Sequence, residues 1–253
     1  MPKVYTGSYD RWHDDYERGR PGWPPEVLDL PSLPPTARVL DLGAGTGKLT
    51  RLLVSRFEDV VAVEPDPGMR RLLVTLCPQA RVLDGSAEAI PLEDASMEAV
   101  FAAETFHLYD WERALEEIAR VLRPGGAFVL MWNLPAGPTE PSTEAIDRLV
   151  RERGLTREKL GYDPVDLNTI RYESGEWRVP FAGSPFGELR ETRLPNPDTV
   201  DRDALLAFLA SMGWISELLE AERQALFDEM RSLLTAPEYR RRWETHVHWT
   251  RLA

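Results

Sequence analysis

The chain has 253 residues, 43% of them hydrophobic, enough for a packed core and too many for a disordered polymer. With 42 acidic against 30 basic residues the formal charge is -12, which is repelled by phosphate backbones and anionic lipid and so argues against nucleic-acid and membrane partners. A lone cysteine, Cys77, excludes an intramolecular disulfide framework and an all-cysteine metal site.

No apolar run approaches the roughly 20 residues of a membrane-spanning helix. The N-terminus is polar and mixed in charge, unlike a signal peptide. A soluble, cytoplasmic chain is the expectation. In chain order, residues 1–36 hold seven of the 21 prolines, which forbids a long helix over 20–35. A short helix fits after Pro25, and the segment reads as an N-terminal arm laid on a domain. Ala37-Arg-Val-Leu-Asp-Leu42, an apolar run ending at glycine, reads as a buried strand. Leu49, Leu52, Leu53 and Phe57 then recur at helical spacing. Val60-Val-Ala-Val-Glu64 is a second buried strand. Asp66-Pro67 opens a helix with an N-cap acid and a first-turn proline, and its apolar face is Met69, Leu72, Leu73 and Leu76. Arg81-Val-Leu83 and Ala99-Val-Phe-Ala-Ala103 are further strands. Asp110 caps a helix bearing Leu115, Ile118 and Leu122. Arg123-Pro-Gly-Gly126 has the composition of a turn, and Ala127-Phe-Val-Leu-Met-Trp132 is a fifth strand. Strands alternating with helices predict an α/β fold with a doubly wound, mostly parallel sheet over 37–133.

After Trp132 the regularity stops. Residues 134–185 contain one helical stretch and read as a cap insertion over the crevice, a usual role for a long irregular segment. Residues 186–253 complete the sheet, with a sixth strand ending at Leu194 and two helices rich in leucine. In the tail, Trp243, Val247 and Trp249 alternate, which predicts a half-exposed antiparallel edge strand. His246 and His248 would share its surface face.

The chemistry-bearing signal is Asp41-Leu-Gly43-Ala44-Gly45-Thr-Gly47, where the first strand meets a helix. Glycines there let a ligand approach the backbone, next to the free N–H groups of a helix N-terminus. The alternative is a tight turn with no ligand. The third glycine comes one residue earlier than in the dinucleotide G-x-G-x-x-G pattern. Glu64 ends the second strand 21 residues after Gly43 and can accept hydrogen bonds from two ribose hydroxyls, in an NAD or an S-adenosyl cofactor. Gly85-Ser-Ala-Glu88 can frame an adenine ring or be an ordinary loop. Glu104-Thr-Phe-His-Leu-Tyr-Asp110 follows the fourth strand, at the end of the sheet where ligands bind, so His107 is better placed than His13 to act on one. No G-x-S-x-G elbow supports a hydrolase triad.

Four ordered segments carry a family resemblance: Asp41-Leu-Gly-Ala-Gly-Thr-Gly47, Val61-Ala-Val-Glu-Pro-Asp66, Gly85-Ser-Ala-Glu-Ala-Ile-Pro91 and Ile118-Ala-Arg-Val-Leu-Arg-Pro-Gly-Gly126. Together they resemble class I S-adenosylmethionine-dependent methyltransferases, within them the type 11 group. The resemblance implies a Rossmann-like, seven-stranded sheet and S-adenosyl-L-methionine as cofactor. It also implies roles for single residues. Gly43, Ala44, Gly45 and Gly47 would line the methionine and ribose, with Asp41 shaping the loop. Glu64 would hold the ribose, and Pro65 or Met69 would lie against the adenine. Ser86, Ala87 and Glu88 would meet the adenine edge, although such enzymes often carry Asp where this chain has Ser86. Ala103 would offer backbone near the cofactor's amino group, and Arg20 would reach its carboxylate from the arm. His107 is the candidate base or acceptor-positioning residue. No Asn-Pro-Pro-Tyr-type tetrad follows the fourth strand, which with the acidic charge favours a small-molecule acceptor. An NAD-dependent oxidoreductase and a non-catalytic cofactor-binding protein are the rival readings.

Overall fold

Short runs of β-branched and aliphatic residues, apolar on both faces, need cover from both sides, and the chain supplies it with crossover helices. The computed structural model describes residues 9–136, 141–154, 172, 174–212, 215 and 218–253. Nine strands are described: β1 (Arg38–Leu42), β2 (Asp59–Val63), β3 (Arg81–Leu83), β4 (Met97–Ala103), β5 (Leu122–Pro135), β6 (Arg190–Pro195), β7 (Asp198–Val200), β8 (Tyr239–Arg241) and β9 (Trp243–Arg251). Seven make one sheet in the order β3-β2-β1-β4-β5-β9-β6, and β7 and β8 form a separate antiparallel ribbon. β1 to β5 pair in parallel, with Val39 opposite Val60 on one side and Ala99 on the other. The α-helices among the described residues are α1 (Tyr9–Gly19), α2 (Lys48–Val54), α3 (Pro67–Leu76), α4 (Trp111–Val121), α5 (Pro141–Glu152), α6 (Arg202–Ala210) and α7 (Glu220–Leu233). Asp66, Asp110 and Asp201 each cap a helix by accepting a backbone N–H three residues on.

Two core layers flank the sheet. On one face Leu40, Val63, Val100, Phe128 and Trp132 pack on Leu115 and Ile118 of α4 and on Trp177 and Phe181. On the other, Val39, Val60, Phe101 and Val129 pack on Leu49 and Leu53 of α2 and on Val27. Each such side chain, fully buried, contributes roughly 1.5–3 kcal/mol. A third cluster, away from the sheet, joins α5, α6 and α7 through Ile146, Leu206 and Met230.

Two expectations change. The tail strand β9 is antiparallel, but it lies between β5 and β6, and β6 is the edge. Its alternate residues therefore face two cores: Val247 joins one, while His246 and His248 turn to the other and are buried instead of lying on the surface. Arg123-Pro-Gly-Gly126 does not break the chain. It runs inside β5 as an irregularity, where the register against β4 shifts between Met97 and Ala99. The arm keeps to expectation: its helix α1 ends at Gly19, before the prolines, and a short helical turn follows at Pro25–Leu28.

Helix α1 is fastened on two sides. His13 Nε2 lies 2.9 Å from Asp66 Oδ1 at the start of α3, and Trp12 Nε1 donates to Ser211 O just past α6 at 3.2 Å. Arg241 donates from Nη1 to Gly19 O at 2.6 Å and pairs with Asp198. Gly19 is pressed onto α6 so closely that a Cβ would sit 2.1 Å from Phe208 N. Gly19→Ala should therefore push α1 off α6 and cost about 1–3 kcal/mol, the usual scale of overpacking. Gly22→Ala is the control, because nothing lies within 4 Å of its added Cβ. Urea midpoints measure both, and equal values would show that α1 does not depend on that contact.

Candidate active site

In the order β3-β2-β1-β4-β5 the chain reverses direction across the sheet between β1 and β4, and the C-terminal ends of those strands open a crevice. The glycine loop and Glu64 lie at those ends, after β1 and β2. Gly43, Gly45 and Gly47 have φ of +72°, +58° and +91°, a region in which side chains are strained, so the loop needs all three glycines. The N–H groups of Gly43 and Ala44 both donate to Val63 O, at 2.9 and 3.1 Å, and Gly47 N donates to Ala44 O at 2.9 Å. The loop is thus tied to the end of β2. A Cβ on Gly45 would find only Tyr16 Cε1, at 3.9 Å, so its open face looks toward α1.

Asp41 is buried on β1 and does not reach out of the loop. Its Oδ2 accepts from Thr50 Oγ1 of α2 at 2.6 Å. Burial pushes its carboxyl up to about 7, against the opposing hydrogen bond from Thr50. Glu64 joins two loops: Oε2 accepts from Gly45 N and Oε1 from Asp66 N, each at 2.8 Å. Burial raises its pKa as well, opposed by those two hydrogen bonds. Pro65 beside it is exposed, whereas Met69 is buried in α3.

The loop 85–92 is held from behind. Arg120 donates to Ile90 O at 2.9 Å, Leu92 O at 2.8 Å and Asp94 at 2.7 Å, and Ile90 N donates to Glu117 at 2.8 Å. Arg120 of the fourth sequence segment therefore has a structural part, holding this loop. Ala87 is buried, Ser86 is partly exposed, and Glu88 accepts from Asp110 N at 3.0 Å.

Past β4, Ala103 pairs with Met131 and stays near the crevice floor. His107 is buried, and its Nδ1 accepts from Trp132 Nε1 at 3.3 Å. That nitrogen carries the lone pair, so in the neutral ring the proton sits on Nε2. His107 is therefore arranged to donate a hydrogen bond, and its basic nitrogen is turned into the core. Arg20 donates to Ser211 from Nε (2.9 Å to Oγ) and Nη2 (3.3 Å to O), and its guanidinium stacks near Tyr16 and Phe208.

Three features escape a reading of the sequence alone. Tyr16 lies over Gly45, and its phenol is pushed up to about 12, by burial first and then by Glu104, Glu64 and Glu17 against Arg20. Glu104 has φ of +57°, rare for a residue with a side chain, and its Oε1 accepts from Asn133 N at 2.7 Å. Tyr172 bridges the two tail histidines, its hydroxyl 2.9 Å from both His246 Nδ1 and His248 Nε2. Glu104 follows a strand, a placement that by itself does not show its burial. The third joins parts of the chain 74 and 76 residues apart.

The donor set suits an S-adenosyl cofactor, which carries a ribose diol and cationic groups. Glu64 uses one lone-pair site on each oxygen and keeps two for hydroxyls. The Thr46 hydroxyl inside the loop is buried without a hydrogen-bond partner among the described residues. No group of three metal-ligating side chains occurs among the described residues, and no described helix is long and apolar enough to cross a membrane.

Fold and crevice define an S-adenosyl-binding α/β protein of the methyltransferase kind, and the comparisons with known proteins agree. The family model described as a methyltransferase domain matches residues 40–130. An uncharacterized methyltransferase of Mycobacterium tuberculosis is 55% identical over 163 residues, 64% of this chain and 66% of the relative, just under two thirds of its length. An uncharacterized methyltransferase-like protein of Schizosaccharomyces pombe is 33% identical over 221 residues, 85% of this chain and 81% of that protein. A solved structure, a candidate type II methyltransferase of Anaeromyxobacter dehalogenans, has the same fold, with a TM-score of 0.65 at 24% identity over 92% of this chain and 97% of the other. The chain belongs to the type 11, S-adenosylmethionine-dependent methyltransferases.

Asp41 and Glu104 have folded-state pKa values near 7, above the ordinary carboxyl range. A raised carboxyl pKa contributes stability below the unfolded value and loses it as pH climbs through the folded one. The ligand-free protein should therefore lose stability from about pH 4 to about pH 7, at up to about 1.4 kcal/mol per pH unit for each group. Asp41→Asn should flatten that slope in denaturant titrations at several pH values. An unchanged slope would show Asp41 already ionised at low pH.

Proposed function

We propose that the chain transfers a methyl group from S-adenosylmethionine to a small-molecule acceptor. The observation that supports this best is the pairing of Glu64 with the glycine loop at the β1/β4 crevice. S-adenosylmethionine supplies a methyl group already activated on a sulfonium. The protein has to align an acceptor with it and keep water away. Gly43, Ala44, Gly45 and Gly47 line the methionine and ribose, Glu64 takes the ribose hydroxyls, and buried Asp41 keeps the loop in shape through Thr50. Pro65, with its exposed face, suits the adenine better than Met69, and Ser86, Ala87 and Glu88 border the adenine edge. Ala103 and Arg20 serve the amino and carboxylate ends. His107, at the end of β4, is the candidate acceptor-positioning residue. The acidic charge of the chain disfavours nucleic acid and membrane partners, and Cys77, free and buried, suits a cytoplasmic protein. In this reading 1–36 is an arm, 37–133 the cofactor core and 186–253 the completion of the sheet; the cap assigned to 134–185 falls in large part, at 137–140, 155–171 and 173, outside the described residues.

Calorimetry should show binding of S-adenosylhomocysteine, the product form, and none of NAD; the reverse would favour an oxidoreductase. Glu64→Ala should weaken that binding by about 1.5–3 kcal/mol, the scale of hydrogen bonds to a charged group. A dissociation constant unchanged within about twofold would remove Glu64 from the ribose site.

The arm bears on access. α1 lies across the loop, with Tyr16 over Gly45 and Glu17 accepting from Arg51 of α2 at 2.7 Å. A cofactor entering here has to pass it. Amide hydrogen exchange in Tyr9–Gly19 should be fast in the free protein and slow on addition of S-adenosylhomocysteine, while β1 and β2 change only at their C-terminal ends. Exchange already slow, and unaltered by ligand, would make α1 a fixed wall.

A further inference from the structure

The two walls of the crevice carry different groups. β1 and β2 bring the glycine loop and Glu64. β4 brings Glu104, and its carboxylate faces the other way, onto β5. Glu104 follows directly on β4, and its N–H donates to Met131 O at 2.9 Å. A residue with a side chain at φ of +57° costs of order 1–3 kcal/mol and persists only where its surroundings fix it. Here they do. Asn133 presents its N–H to Oε1, and its side chain is itself locked: Nδ2 donates to Gly22 O at 3.0 Å, and Oδ1 accepts from Thr245 Oγ1 at 2.6 Å and Asn196 Nδ2 at 3.0 Å. From the arm, Tyr16 and Arg20 face the same carboxylate, and Tyr16 also feels Glu64.

Resting on the methyltransferase reading, we propose that Glu104 is the general base of the transfer and that the acceptor is a protic nucleophile, an amine or a hydroxyl. The acceptor proton passes to a carboxylate oxygen of Glu104 as the acceptor lone pair bonds to the methyl carbon. The electron pair of the carbon–sulfur bond stays on sulfur, which becomes a neutral thioether. The Glu104 carboxylic acid then returns its proton to water. His107 cannot take this part, because its lone pair is engaged by Trp132. A carboxylate acceptor needs no base and would meet Glu104 as a like charge. Burial pushes Glu104 up to about 7, with the Asn133 N–H and Arg20 pulling the other way, which brings a carboxyl to the pH where a base works best.

The test is Glu104→Gln, which keeps an oxygen for the Asn133 N–H. Carbon-13 NMR titration of the protein, free and with S-adenosylhomocysteine, should show a carboxyl that releases its proton between about pH 6 and 8 and is missing in the variant. S-adenosylhomocysteine should bind wild type and variant within about twofold of each other. With S-adenosylmethionine and a panel of amines, phenols, alcohols and carboxylates, turnover should appear on a protic member and fall at least about 100-fold in the variant, with the acid limb near pH 7 lost. A carboxyl ionised throughout that range, turnover confined to carboxylates, or variant turnover within a few-fold of wild type would overturn the proposal. So would a tenfold or greater loss of S-adenosylhomocysteine affinity in the variant, which would make Glu104 a cofactor contact. Failure of the wild type to bind S-adenosylhomocysteine would instead defeat the methyltransferase reading itself.

Discussion

The carboxylate of Glu64 accepts one N–H from the glycine loop and one from the turn that starts α3. Much of the crevice depends on that double acceptance. It closes the end of β2 against the end of β1, where Val63 O already takes the N–H groups of Gly43 and Ala44. A loop with three left-handed glycines has little conformational preference of its own. Its shape has to be imposed by partners outside it, and β2 supplies them from one carbonyl and one side chain. Asp41 does the same from below, through Thr50 of α2. The acids of the glycine motif therefore hold the loop before they meet any ligand.

Concentrating carboxylates at one end of a sheet has an electrostatic cost. Asp41, Glu64 and Glu104 are all pushed toward their neutral forms by burial. A ligand bearing positive charge relieves that cost, because it favours the ionised forms that burial disfavours. Arg20 does so in part, from a guanidinium itself committed to Ser211 past α6. The arm is thus an electrostatic partner of the crevice as well as a steric cover, and α6 sets where it lies. This links the leucine-rich C-terminal helices, remote in sequence, to the chemistry at the end of β4.

The core of the fold was legible because its signals are local. A buried parallel strand is a short apolar run, and the helix that follows announces itself by caps such as Asp66 and Asp110. The glycine loop and Glu64 could be placed together because both end adjacent parallel strands. What stayed illegible depended on pairing. The alternation in β9 is the same whether β6 covers its outer edge or water does, so the strand was assigned to the rim and its histidines to the surface. Their burial becomes comprehensible only with Tyr172, whose hydroxyl satisfies both. Glu104 posed the same difficulty. An acid after a strand looks solvated until Asn133, Tyr16 and Arg20 are seen around it.

The histidine pair shows how far a polar group can be taken into this core without serving the crevice. His246 Nε2 lies 2.8 Å from Glu244, so it carries a proton there, and its Nδ1 accepts from the Tyr172 hydroxyl. The Tyr172 oxygen is then left to accept from His248 Nε2, and His248 is neutral with its lone pair on Nδ1. Burial, with Arg178 adding to it, pushes the pKa of His248 down to about 4, in keeping with that assignment. In this arrangement the contacts from Glu244 through His246 and Tyr172 to His248 are each satisfied by one donor and one acceptor. Replacing Tyr172 or His248 with an apolar residue would strand a donor or acceptor beside Trp132 and Trp177. The network therefore fixes Tyr172 against β9 by hydrogen bonds as well as by packing. His107, on the far side of Trp132, is held by the same indole that borders this network.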